Sequence, residues 1–179
     1  MFVYEKKLQY PVRIKNSNPK LAAAIISQYG GPDGELGASL RYLSQRYSMP
    51  YPELKGMLTD IGTEELGHLE MVGTIVHQLT RNLTEQQIKD AGFEAYFVDH
   101  TTGVFPQFAS GYPWSAATMQ VTGDTIADLT EDLAAEQKAR VTYDNILRLS
   151  DDPDVTDAIR FLRAREIVTS SASARGSGW

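Results

Sequence analysis

One apolar seam, interrupted in its middle by two polar residues, constrains this chain more than any other feature. From Pro52 to about Arg81 the sequence reads as a single long helix. At alternating spacings of four and three it places Leu54, Leu58, Ile61, Glu65, His68, Val72, Ile75 and Leu79 on one face. Apolar residues at this spacing define a core-facing stripe. Glu65 and His68 stand where Leu or Val is expected, and burying a carboxylate and an imidazole is costly unless partners meet them. Glu-x-x-His also projects both side chains from one face, a turn apart. Helical bundles that hold two metal ions among carboxylates use this pair.

Three further helices repeat the pattern. The segment from about Asp124 to Leu149 carries Ile126, Leu129, Leu133, Glu136, Ala139 or Arg140, Tyr143, and Ile146 or Leu147, with Glu136 breaking the stripe. The last helix, about 153–168, reads Val155, Ile159, Leu162, Glu166 and Thr169, and Glu166 again takes an apolar position. A helix from about Asp33 to Tyr47 offers Glu35 beside Leu36, Leu40 and Leu43, with Tyr42 two turns along on the same side. A lone helical Glu is usually solvated, a single Glu-x-x-His is often a surface pair, and a helical Tyr is more often core than partner to a ligand. What argues otherwise is the combination of four helices, each with one Glu in its seam. His77 falls on the face opposite His68 and reads as surface. His100 reads as a satisfied loop residue.

The remaining segments complete an all-α architecture. Residues 1–15 form an extended arm, and Asn18-Pro19 opens a short extra helix with Pro at its first position. Thr84-Glu85-Gln86-Gln87 caps another short helix. Residues 92–123 form a long connection rich in Gly and Pro but also in aromatics, so it is expected to pack down rather than to be disordered. Helix pairs joined by one long crossover give the topology of a ferritin-like four-helix bundle. A net charge of −6 supplies no basic footprint for nucleic acid. The absence of cysteine excludes disulfides and thiolate sites. The apolar stretches are too short to cross a membrane, and the N-terminus reaches charge before any signal-like apolar region. A cytoplasmic protein is the expectation.

Gly30-Gly31-Pro32-Asp33-Gly34-Glu35-Leu36, Asp60-Ile61-Gly62-Thr63-Glu64-Glu65-Leu66-Gly67-His68, Ala135-Glu136-Gln137-Lys138-Ala139-Arg140 and Phe161-Leu162-Arg163-Ala164-Arg165-Glu166 together resemble the manganese catalase family. The chain most resembles that family's short CotJC-type spore-coat members. The resemblance implies two manganese ions, hydrogen peroxide as substrate, dioxygen and water as products, a homo-oligomer, deposition in the spore coat and contact with other coat proteins. It also implies that Glu35 and His68 bind one manganese, that Glu65 bridges, that Glu136 binds the second manganese, and that Glu166 moves protons beside the metals. Tyr42 would support the ligands. Carboxylate and imidazole also suit iron. The alternatives are a di-iron oxidase or peroxidase, and a structural coat protein with a vestigial site.

The resemblance implies a histidine ligand three residues after Glu166, where this chain has Thr169. The family pattern continues His-Phe-Gln-Arg-Phe-Gly-Glu; the chain reads Thr169-Ser170-Ser171-Ala172-Ser173-Ala174-Arg175. Writing the family residues in GC-rich codons and deleting the first C reproduces those residues in order. Residues 1–168 are therefore expected to form the domain and 169–179 a frameshifted, low-complexity tail without a buried seam. The second metal position is expected to be impaired.

Overall fold

A computed structural model describes the backbone of residues 3–176 and side chains as far as Ala174. Met1, Phe2 and residues 177–179, the ends of the expected arm and tail, lie outside the described residues. All regular structure among the described residues is helical apart from one isolated bridge, Gln107 with Pro113. The helices are α1 (Pro19–Gly30), α2 (Glu35–Gln45), α3 (Pro52–Thr80), α4 (Glu85–Asp90), α5 (Glu94–His100), α6 (Thr125–Leu149) and α7 (Pro153–Gly176). No helix among them is long and apolar enough to cross a membrane.

The start signals lie where the sequence puts them. Asn18 accepts from the Leu21 amide at 3.0 Å, with Pro19 following it in the first turn of α1. Asp124 accepts from Ala127 at 2.9 Å to cap α6. These bonds satisfy amides that a helix leaves unpaired at its N-terminus.

The short first helix is not an appendage. Both α1 and α2 pack on the single long α3, α1 against its C-terminal half and α2 against its N-terminal half. Asn18 N donates to Leu79 O at 2.8 Å, and Ser39 Oγ to Gly62 O at 2.7 Å. Together α1 and α2 act as one bundle helix broken at Gly30–Gly34. Gly30 is required at that break: a Cβ there would lie 2.3 Å from the Gln107 amide nitrogen. The crossover connection therefore rests directly on the helix end.

Residues 92–123 pack down as expected, but they contain the short α5 and a 3-10 turn at Ala116–Thr118. Phe93 leads into α5 without a side-chain cap, so its start carries no sequence signal. Phe93 stacks on Tyr96 with ring centroids 4.9 Å apart, and His100 stacks on Phe105 at 4.0 Å. His100 is thus satisfied by aromatic packing at the end of α5, and His77 is exposed.

Two apolar clusters bracket a polar layer. One joins Leu21, Ile25 and Ile26 of α1 to Met71, Val72, Ile75 and Leu79 of α3, Tyr143 and Ile146 of α6, and Val155, Ile159 and Leu162 of α7. The other joins Tyr42, Met49, Leu54, Leu58, Ile61 and Leu129. Each fully buried Leu or Ile contributes on the order of 1.5–3 kcal/mol. This burial offsets the cost of the polar layer between the clusters.

Two features of α6 and α7 depart from the sequence reading. The stripe of α6 begins differently: Ile126 is exposed, while Asp128 and Asp132 are buried. Asp128 accepts from Thr122 N at 2.8 Å, Thr122 Oγ1 at 2.6 Å and Gly123 N at 3.1 Å, tying the crossover to the bundle. Long-range partners of this kind have no periodic signature. α7 runs on to Gly176, beyond the end expected near residue 168, and Thr169 and Ser173 are buried on it. Small residues continue the inner face of the helix where a frameshifted tail was expected to have no seam.

Candidate metal centre

The sequence-predicted site residues reach the polar layer from four helices. Glu35 stands in the first turn of α2, Glu65 and His68 at the middle of α3, Glu136 at the middle of α6 and Glu166 on α7. All are buried, none more than 3% exposed. Glu35, Glu65 and His68 offer donor atoms that lie within 4.8 Å of one another. His68 Nδ1 is 2.7 Å from Glu65 Oε2 and 4.0 Å from Glu35 Oε2. Oε1 of Glu65 and Oε1 of Glu166 are buried without hydrogen-bond partners.

Two tyrosines hold the outer carboxylates. Tyr42 donates to Glu136 Oε1, and Tyr143 donates to Glu35 Oε1. Burial, reinforced by the Glu136 charge for Tyr42 and the Glu35 charge for Tyr143, pushes both phenols well up, so they remain donors. By spacing alone the sequence puts Tyr42 at the site and Tyr143 in the apolar stripe. The available signal was spacing: each tyrosine follows a seam glutamate by two turns.

Burial acts on the acids in the same sense. It pushes Glu65 up to about 8, aided by the Glu136 charge. It raises Glu35, aided by Glu65, and Glu166, aided by Glu35. Crowded carboxylates in a dry layer keep protons until a cation displaces them.

The donor set fits a cation unevenly. Around Glu35, Glu65 and His68 there are two carboxylates, one imidazole and an orphaned buried oxygen, a combination suited to manganese or iron. Glu136 lies outside that cluster. Thr169 donates to Glu136 Oε2 at 2.5 Å, so both oxygens of that carboxylate accept from hydroxyl groups.

Other polar groups were not foreseen. Asp132 lies one turn before Glu136, its two oxygens without hydrogen bonds, and burial pushes it up to about 8 against the opposing effect of Gln45 and Arg41. Arg41 is 1% exposed and its three guanidinium nitrogens have no hydrogen-bond partner. Arg41 also lines the small cavity reached by Asp33, Glu35, Tyr42, Glu136 and Glu166.

These features define a class: a ferritin-like helical bundle with a carboxylate–histidine centre between its helices. The chain belongs to the manganese-containing catalase family, whose profile matches residues 1–174. It is 55% identical over 170 residues to Protein CotJC of Bacillus subtilis, covering 95% of this chain and 89% of that protein. It is 37% identical to a probable manganese catalase of Clostridium acetobutylicum, covering 93% of this chain and 75% of that one. The structure of KatB, a manganese catalase from Anabaena, superimposes with a TM-score of 0.91 at 32% identity, covering 98% of this chain and 78% of that chain.

Proposed function

We propose that the chain is a manganese catalase-like enzyme that disproportionates hydrogen peroxide to dioxygen and water. It works as a homo-oligomer laid into the spore coat beside other coat proteins. The observation that carries the reading is the buried Glu35–Glu65–His68 triad, a donor set with no structural use in an apolar core. Family membership and the likeness to Protein CotJC support it.

Glu35 and His68 would hold one manganese ion, Glu65 would bridge, and Glu136 would contribute to the second. Two adjacent manganese ions supply the two-electron exchange that peroxide requires. The protein's own part is protonic and geometric. Tyr42 and Tyr143 keep their protons and fix the carboxylates they donate to. Glu166 carries a free carboxyl oxygen toward the layer and takes the role of moving protons to and from peroxide oxygens. The apolar clusters on either side exclude bulk water.

In the present sequence the second position is the weaker one. A neutral hydroxyl is a poor ligand for a divalent ion, and the Thr169–Glu136 bond holds the carboxylate that the ion needs. We attribute Thr169 and the residues after it to a one-base shift in the reading frame. The same observation favours a second reading, a structural coat protein whose centre is vestigial. Metal content per chain after expression with manganese and iron, measured with oxygen release from peroxide, separates the two. Bound manganese with oxygen release supports the enzyme. Bound iron without oxygen release supports a ferritin-like oxidase or peroxidase. No bound metal leaves the structural reading.

A further inference from the structure

For His68 Nδ1 to face Glu35 and Glu65, the ring has to be held in one flip and one tautomer. The opposite edge of the ring shows how. Nε2 is buried and makes no hydrogen bond; Oε1 of Glu64 faces it at 3.4 Å. On a helix, residues three and four positions away are side-chain neighbours, so Glu65 and Glu64 reach His68 from the two edges of its ring. Glu64 is itself held from two directions. Arg165 of α7 brings Nε to 2.7 Å from Oε1 and donates Nη2 to Oε2 at 3.0 Å. Gln9 of the arm donates Nε2 to Oε1 at 2.8 Å. The arm is anchored on α3, where Gln78 accepts from Ile14 N at 2.7 Å and donates to Val12 O at 3.0 Å.

We infer that Glu64 is a positioning residue for His68: clamped by Arg165 and Gln9, its carboxylate faces the Nε2 edge, draws the ring proton to that nitrogen and leaves the Nδ1 lone pair facing Glu35 and Glu65. The consequence is that the N-terminal arm and α7, neither of which carries a ligand to this half of the centre, set the orientation of its only imidazole. The inference rests on the proposed metal site for the use of Nδ1. Ring flip and tautomer, however, are properties of the metal-free chain. Carboxylate partners on the outer nitrogen of a ligating imidazole fix its tautomer, and losing one typically costs roughly 10–100-fold in metal affinity.

The test uses the full-length chain with Glu64→Gln, and with Arg165→Gln as a variant that leaves Glu64 present but unclamped. Nitrogen-15 spectra of the metal-free proteins report the His68 tautomer, assigned by the signal lost in His68→Gln. Titration with Mn²⁺ reports affinity. The Nε2–H form in the parent chain, mixed tautomers and an affinity about ten-fold lower in Glu64→Gln, and a smaller shift of the same sign in Arg165→Gln support the inference. An unchanged tautomer in Glu64→Gln overturns it, whatever the affinity does. Should the parent chain bind no Mn²⁺, the proposed function falls, and the tautomer alone still decides the role of Glu64.

Discussion

Tyr143 on α6 donates to Glu35 on α2, and the bond is returned: Tyr42, two turns after Glu35, donates to Glu136, two turns before Tyr143. The two halves of the bundle thus exchange a tyrosine for a glutamate across the centre. Glu-x-x-His on α3 and Glu-x-x-Thr on α7 extend the same correspondence, which places Thr169 opposite His68 in the pattern. The departure at residue 169 is therefore legible inside this one chain, as the broken element of an internal two-fold relation.

The crossed pairs predict separable defects. Tyr143→Phe removes the donor to Glu35, and Tyr42→Phe removes the donor to Glu136. Loss of a bond to a ligand weakens metal binding by roughly 10–100-fold. Manganese titrations should show the larger loss at the tighter position in Tyr143→Phe, with Tyr42→Phe nearly silent there. Equal loss in both variants would contradict the division of the centre into two unequal halves.

Thr169→His should raise bound manganese from about one toward two ions per chain, because it restores an imidazole at the position matching His68. The site is buried and the new side chain larger, so the metal-free variant should lose about 1–3 kcal/mol of stability from overpacking. Metal analysis by mass spectrometry and a denaturant titration check both parts. A variant that still binds one ion or none would show that Thr169 is not the limiting defect.

Much of this was present in the sequence, for identifiable reasons. Glu65 and His68 were legible because α3 is long and its apolar period is uninterrupted on either side. Glu166 was legible because the α7 stripe leads up to it. Asp132 and Arg41 were not, since their burial depends on α2 meeting α6, a contact that no local period encodes. Glu64 was masked by adjacency to Glu65: on its own helix it reads as a solvated residue, and only Gln9 and Arg165, remote in sequence, give it a role. The joining of α1 and α2 into one broken helix depends on the Gly30 contact with the crossover, also a tertiary fact.

That contact carries a prediction. Gly30→Ala places a methyl group 2.3 Å from backbone atoms of Pro106 and Gln107, which cannot yield as a flexible side chain would. The variant should lose at least about 1–3 kcal/mol, the usual cost of overpacking, and hydrogen exchange should quicken first in residues 104–109. Unchanged exchange there, with an unchanged melting temperature, would mean that the crossover does not bear on the helix end.

The metal-free chain should also become less stable as pH rises. Asp132 is pushed up to about 8 in the folded chain, and Glu65 likewise to about 8. In the unfolded chain such groups titrate near 3.9 and 4.3, so between about pH 4 and 8 the folded state holds protons that the unfolded state has released. Stability then falls across that window, since it declines with pH wherever the native state binds more protons. Glu64, held down to about 2, acts in the opposite sense, and its contribution is lost only as pH falls from about 4 toward 2. Urea titrations of the metal-free protein at pH 5 and pH 8 should give the higher midpoint at pH 5. Asp132→Asn should reduce the difference by removing one of the two groups responsible. If the midpoint rises with pH, or Asp132→Asn leaves the slope intact, Asp132 is ionised in the folded chain, and Arg41 is paired with it after all.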